Sequence, residues 1–535
     1  MLHAAFRWIR GGIPTDIAIV ARDVGSLLSI QAGLMAVSVL VAALFQEWYV
    51  AAAFVAAAVA TGGVGLGARR WFADAPDPMM KHGMIIAAAG WLMTALFGSL
   101  PFLLSAYAVP PGVQAAYVPA GVDYAHSSLV YFQNPLHAVF ESMSGWTGSG
   151  LTMAVHEPSL PRGLLWWRSL IQWVGGVGVI VLTVSILARP GSGSYALYRS
   201  EARERKIHPS IVSTVRSVWK LFVGYTVLAI VLLFLAIQYG DTAPLPPTEA
   251  AWQAINHAMT GLATGGFSVT DNSIATYDSP TVEAVLLPIM TLGAIAFPIH
   301  YLVVVERDWR QLVSDVQTRW LLILLVGGSA LLAVQHVATW SGPASTGSRD
   351  AIFQFVSALS CTGFQSAPIG TWADSSKIII SSAMILGGAA GSTVGGIKII
   401  RAYTVARGIR WQFSRVFLPA NAIVSTSIGD RRLGQTEMER EFSEAALVSM
   451  LWLFLLLVSS LVLMNLAGPD FSFADAFFEV ASAQGNVGLS TGITGPTMAP
   501  LAEGMFVLNM WVGRLEIIPV LVFARSLLYG SGPRI

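Results

Sequence analysis

One cysteine, Cys361, stands alone in 535 residues, and only 11% of the chain is charged. A single thiol excludes an internal disulfide and any cysteine-based zinc site. A soluble domain carries about 25% charged residues. Scarce charge, 54% hydrophobic residues and a mean hydropathy of +0.64 therefore indicate an integral membrane protein. A formal net charge of +1 gives no basis for binding nucleic acid. The apolar segments hold neither paired aspartates nor a histidine-rich motif, which argues against an intramembrane enzyme.

What is present is a series of apolar segments long enough to cross a hydrocarbon core of about 30 Å. They lie near 24–46, 48–68, 82–107, 163–188, 214–239, 281–305, 319–340, 376–402, 443–467 and 504–526. The first begins behind Arg7, Arg10 and Arg22 and is long for a signal-peptide core, so it reads as a retained helix. Glycine interrupts the segment at 376–402.

Basic residues orient the set. Arg162, Arg349 and Lys377 are expected in loops on one side, with Arg168 nearby inside a helix. The other side gathers Arg69, Arg70, Lys81, the cluster Arg199, Arg203, Arg205 and Lys206, then Arg307, Arg310, the arginines from Arg401 to Arg432, Arg525 and Arg534. The positive-inside bias makes that side cytoplasmic, with both termini there. The cluster at 199–206 reads as a solvated hairpin or, in the minority view, a docking point for a partner. The opposite loops are acidic (Asp241, Glu249, Asp271, Asp278, Glu283, Asp470 and Glu503), which suits a mouth that concentrates cations or an ordinary acidic surface.

Between alternate spans lie shorter, half-polar stretches that align without gaps: "AVFESMSGWTGSGL" (138–151), "AINHAMTGLATGGF" (254–267), "AIFQFVSALSCTGF" (351–364) and "AFFEVASAQGNVGL" (476–489). They form an internal fourfold repeat. About a dozen helix-compatible residues rise only about 20 Å, too little to cross. Each stretch must dip in and return, and such backbone survives at membrane depth only when buried in protein or lining water. Four short helices then aim their negative C-terminal ends at one centre. The residues that follow can present carbonyls as substitute hydration for a cation. These are Thr147, Gly148, Ser149 and Gly150; Ala263, Thr264, Gly265 and Gly266; Ser360, Cys361, Thr362 and Gly363; Gly485, Asn486, Val487 and Gly488. Gly150, Gly266, Gly363 and Gly488 share one repeat position. The expected architecture is an all-α integral membrane protein, with four parallel helix–pore loop–helix repeats around a central pore behind two extra transmembrane helices. In residue ranges this gives two leading helices in 1–75, then repeats in 76–190, 191–306, 307–415 and 416–535.

Glu141, His257, Gln354 and Glu479 share another repeat position and read as polar anchors that bond loop amides behind the filter. A metal or proton role for His137 or His257 is the lesser reading, since neither sits in a ligand cluster. Cys361 reads as a small filter-wall residue, because no base stands near it in sequence. The run "GGAAGSTVGG" (387–396) spaces Gly387, Gly391 and Gly395 four apart, which fits either close helix packing or a flexible loop. Arg514 lies deep in the last apolar segment, where a charge needs a polar interior: a carboxylate or carbonyls elsewhere in the bundle, or the pore itself.

With these stretches in view, the chain from about residue 80 onward resembles the Trk/Ktr/HKT superfamily of potassium transporters. The two leading helices and "QWVGGVGVIVL" (172–182) favour its TrkH branch, and "GSTVGGIK" (391–398) and "GRLEI" (513–517) agree. Gly148 departs from a hydroxyl residue found in many relatives, and Val394 from a glycine. The resemblance implies potassium uptake through the filter. It also implies an intramembrane gate formed by Gly387, Gly388, Gly391, Ser392, Thr393, Gly395, Gly396 and Lys398, and it places Arg514 beside the pore. It further implies a homodimer in the bacterial inner membrane, regulated by a cytoplasmic TrkA-like nucleotide-binding ring. The chain itself carries no nucleotide motif, since Ile397 falls where a phosphate loop needs lysine. Potassium ions in the filter are the only bound groups expected, with no organic cofactor. The alternative is a sodium- or proton-coupled carrier working by alternating access.

Overall fold

A computed structural model describes residues 14–118, 126–187, 211–419, 426–429 and 431–529. The basic cluster at 199–206 lies outside the described residues, as do Arg7, Arg10 and Arg534. Among the described residues the long elements are all helices, and the strands form one antiparallel hairpin, Thr426–Ile428 with Arg431–Leu433.

Helices α1 (Thr15–Leu44) and α2 (Trp48–Trp71) pack antiparallel. Gly25 and Gly65 set their closest approach: a Cβ on Gly65 would stand 2.8 Å from the Gly25 carbonyl oxygen. Small residues bring membrane helices together in this way.

Four helix–short helix–helix units follow around a central axis. The first has α3 (Met80–Gly98) and its continuation α4 (Leu100–Ala108), short α5 (Pro135–Thr147) and α6 (Arg162–Leu187). The second has α7 (Ile211–Tyr239), short α8 (Pro247–Leu262), then α9 (Pro280–Ala294) and α10 (Phe297–Val304). In the third, α11 (Val316–Thr339) leads to short α12 (Ala344–Leu359), α13 (Asp374–Ile385) and α14 (Ile399–Val416). The fourth has α15 (Gln435–Leu466), short α16 (Phe473–Gly485), α17 (Pro500–Leu515) and α18 (Ile518–Tyr529). The short helices are walled in by the long ones, while Leu40, Val59, Val326 and Met450 are each about 70% exposed on the outer surface, as lipid-facing residues are.

Among the described residues, six helices are long and apolar enough to cross a membrane, and two bent pairs pass the same test. Those bends correct the sequence reading, which took 281–305 and 504–526 as continuous. The chain turns by 109° between α9 and α10 and by 115° between α17 and α18. Each break is followed by a proline, Pro298 or Pro519, at the second position of the next helix. It has no N–H for the carbonyl four residues back, Ala294 or Leu515, and its ring clashes with that carbonyl, so the preceding helix ends there. At the second break Glu516 and Ile517 adopt φ of +56° and +68°. The segment at 376–402 is also broken: residues 386–398 form a non-helical loop, which excludes the helix-packing reading of its glycines. Arg162, Arg349 and Lys377, expected in loops, lie in the opening turns of α6, α12 and α13.

Candidate ion pathway

The four short helices end alike. The second residue of each following segment is left-handed: Gly148 at φ +69°, Thr264 at +51°, Cys361 at +52° and Asn486 at +55°. The fourth is left-handed too, at +77° for Gly150, +73° for Gly266, +81° for Gly363 and +106° for Gly488. One backbone path thus recurs four times. Threonine is poorly suited to it, at a cost on the order of 1–3 kcal/mol, and the Thr264 hydroxyl is fixed by the Thr393 hydroxyl at 2.8 Å.

The four fourth-position glycines close a ring. A Cβ on Gly150 would overlap the Gly265 carbonyl oxygen, one on Gly266 that of Thr362, and one on Gly363 that of Val487. On Gly488 it would stand 2.7 Å from the Ser149 oxygen, returning to the first unit. Glycine is required by its left-handed backbone and by this close approach together. Of the carbonyls of residues 147–150, 263–266, 360–363 and 485–488, only that of Gly265 accepts a hydrogen bond from a described protein group. Fourteen of these sixteen residues are buried, and Gly150 and Gly488 are half-buried. Backbone carbonyls in such surroundings are almost always paired, so a cluster left unpaired by the described protein groups is suited to coordinating a cation.

Behind the ring, Glu141, His257, Gln354 and Glu479 brace the loops. Glu141 accepts from the Met153 amide (2.9 Å) and from Arg168 Nε (2.7 Å). Glu479 Oε1 accepts from the amides of Thr491, Gly492 and Ile493 at 2.7, 3.2 and 3.2 Å. The Val269 amide donates to His257 Nε2 at 3.3 Å, and Gln354 Nε2 donates to the Ser366 hydroxyl at 3.1 Å. His137 pairs instead with Glu503, at 2.8 Å. Arg168, also buried, donates to the Ser268 carbonyl at 2.8 Å and so ties the first loop to the second.

Above the ring opens a cavity of about 710 Å³ whose lining includes all four glycines, Glu157 and Asp271. The cations on this side are matched by acids: Arg162 with Glu249, Arg349 with Asp278, and Lys377 with Asp475.

Below the ring lies the loop 386–398, held by the break in the second unit. The Ala389 amide donates to the Ala294 carbonyl (3.0 Å), the Thr393 amide to Gly293 (3.2 Å), and the Phe297 amide to Gly391 (3.0 Å). Backbone groups freed by the α9–α10 bend are thus satisfied by the loop. Thr393 is its hub, since its hydroxyl also donates to Gly293 at 3.0 Å. Gly387 and Gly388 pair with Ile397 and Ile399, Ser392 turns back onto Ala389, and Lys398 Nζ donates to the Val394 carbonyl. Gly395 packs against Asn486, and Gly396 against Gly387. The buried Cys361 neighbours the backbone of Gly388 and Gly395.

Arg514 lies deep in the last apolar segment, and because that segment breaks after Leu515 it sits in the last turn of α17 and not in mid-helix. Nη1 donates to the Thr393 carbonyl at 2.6 Å and Nη2 to Gly175 at 3.2 Å. A Cβ on Gly148 would lie 3.8 Å from Nη1, which puts the charge directly under the first loop. Glu516 faces Arg401, at 2.6 Å. Sequence reasoning missed this ion pair, Arg168 as a tie between loops, and the part played by Gly293 and Ala294. Pro298 was the available signal for the last two.

A family model described as TrkH, cation transport protein, matches residues 82–530. The chain belongs to the TrkH family. An uncharacterized cation transporter of Methanocaldococcus jannaschii is 30% identical over 84% of this chain and 83% of its own. The Trk system potassium uptake protein TrkH of Halomonas elongata is 28% identical over 95% of this chain and 98% of its own. The crystal structure of the potassium transporter TrkH from Vibrio parahaemolyticus shares the TrkH fold, with a TM-score of 0.77, 23% identity, and coverage of 96% of this chain and 99% of that one.

Proposed function

We propose that this chain takes up potassium across the bacterial inner membrane through the ring of four loops. The observation that carries the reading is the set of backbone carbonyls around Gly150, Gly266, Gly363 and Gly488, which among the described residues have no protein donor in any of the four units except at Gly265. Oxygens of this kind replace the hydration shell of an alkali cation. The names of relatives such as the Halomonas elongata protein support potassium as that cation. The loop around Thr393 is the inner gate, and Arg514 is both its latch and a positive charge below the filter. Both termini are cytoplasmic, on the side where basic residues gather. By the resemblance, two copies assemble as a homodimer beneath which a TrkA-like nucleotide-binding ring regulates the gate.

The test is rubidium or potassium flux into vesicles holding the purified full chain, in defined gradients. Potassium flux that collapses in a folded Gly363→Ala variant supports the reading. Equal flux in that variant, or none in the unaltered protein, overturns it. A pathway open above the ring and closed below by the Thr393 loop is also what an alternating-access carrier would present. Discrete unitary currents favour the channel, and a fixed co-ion ratio favours the carrier.

A further inference from the structure

Gln172 opens the "QWVGGVGVIVL" run of α6, and its buried side chain reaches across to the second loop. Its Nε2 donates to the Gly265 carbonyl at 2.6 Å, and its Oε1 accepts from the Phe267 amide at 3.0 Å. The Gly265 oxygen still abuts Gly150, as its three counterparts abut the glycines of their neighbours. The hydrogen bond is therefore shared with the ring and does not divert the oxygen from it. No described group bonds the equivalent carbonyls of Ser149, Thr362 and Val487. The third filter position bears a side chain in those units and glycine only in the second. The reason is Gln172: a Cβ on Gly265 would stand 2.5 Å from its Cδ, and the three nearest atoms all belong to it.

We propose that Gln172 is a positioning residue that sets ion selectivity by lowering the field of one quarter of the filter. This rests on the filter reading above. An amide donor draws electron density from the Gly265 oxygen, and the paired bond to Phe267 fixes the loop on both sides of Gly266. Strong carbonyl fields favour small cations over large ones. Loss of the donor raises the field at that oxygen, and loss of the pair loosens the ring. Both effects favour sodium over potassium.

The experiment measures potassium and sodium flux in vesicles, with folding checked by thermal melting. Gln172→Ala should lower the potassium-to-sodium ratio roughly three- to tenfold, the scale of one hydrogen bond. Gly265→Ser alone should abolish transport through its clash with Gln172. The double variant, Gln172→Ala with Gly265→Ser, makes the second loop resemble the first and should regain flux, because Gly265 is not left-handed and the space has been vacated. It should keep the lowered ratio, which a purely space-filling glutamine would not leave behind. An unchanged ratio in Gln172→Ala, or a double variant that folds but stays inactive, overturns the proposal. If Gly363→Ala leaves potassium flux unchanged, the filter reading itself has failed; if Gly363→Ala collapses the flux and the Gln172 variants leave the ratio unchanged, this inference alone has.

Discussion

Arg514 holds Thr393 from below, its guanidinium 2.6 Å from the carbonyl of the loop's central residue. A charge-assisted bond of this kind contributes about 1.5–3 kcal/mol, and here it joins the last helix to the loop beneath the ring. Arg514→Ala removes both the latch and the local positive charge, so potassium flux should rise roughly tenfold. Arg514→Lys keeps the charge without the two-pronged reach and should change flux less. Vesicle flux on folded protein measures both. A fall in flux for the alanine variant would reject the latch.

Substitution around the glycine ring should be graded. A Cβ overlaps the neighbouring carbonyl most deeply at Gly363 and Gly266 and least at Gly488. Alanine at Gly363 or Gly266 should cost more than about tenfold in potassium uptake, with Gly150 intermediate and Gly488 the mildest. Growth of a potassium-uptake-deficient strain, with expression controlled by immunoblot, gives the ranking. Equal effects at all four positions would contradict it.

Glu479 gathers three amides on one oxygen and the Thr494 hydroxyl on the other. Glu479→Gln retains an oxygen for the amides and should lose about 1–2 kcal/mol. Glu479→Leu strands all of them and should lose at least about 3 kcal/mol or fail to fold. Melting in detergent separates the two. Similar melting temperatures would show that the loop does not depend on this carboxylate.

Glu157, in the loop between the ring and α6, has its carboxyl pushed up to about 7. Burial is the main cause, opposed by Arg168 and reinforced by Asp271 and Glu141. Asp271 in turn lies 3.6 Å from His156. The group is neutral below that pH and charged above it. Its charge adds to the mouth as pH rises, which attracts cations. The potassium concentration for half-maximal uptake should therefore fall roughly twofold between pH 6 and 8. Glu157→Gln should flatten that dependence; an unaltered profile in the variant would assign it to another group.

The architecture was legible because one glycine recurs at one place in four aligned stretches, and because each stretch is too short to cross. The anchors Glu141, His257 and Glu479 were legible for the same reason, since they fall in register; Gln354 shares their position but bonds the Ser366 hydroxyl and not a loop amide. The second filter position was not. Its left-handed backbone is hidden when the residues are Thr264 and Cys361, types that do not announce it. The broken helices were half legible: Pro298 and Pro519 are their signal, but the apolar runs continue across both prolines. Gln172 could not be found by pattern, because its partner lies 93 residues away and no sister unit repeats the contact.

All four quarters of the ring belong to one chain, so each can change alone. The third filter position already holds serine, glycine, threonine and valine in turn, at Ser149, Gly265, Thr362 and Val487. In an assembly of four identical subunits a single codon change would alter every quarter at once. Here it alters one, so under the proposed filter role selectivity can drift in small steps through variants that still conduct. Such a lineage can explore ion preference gradually, and each step leaves a record of which quarter moved.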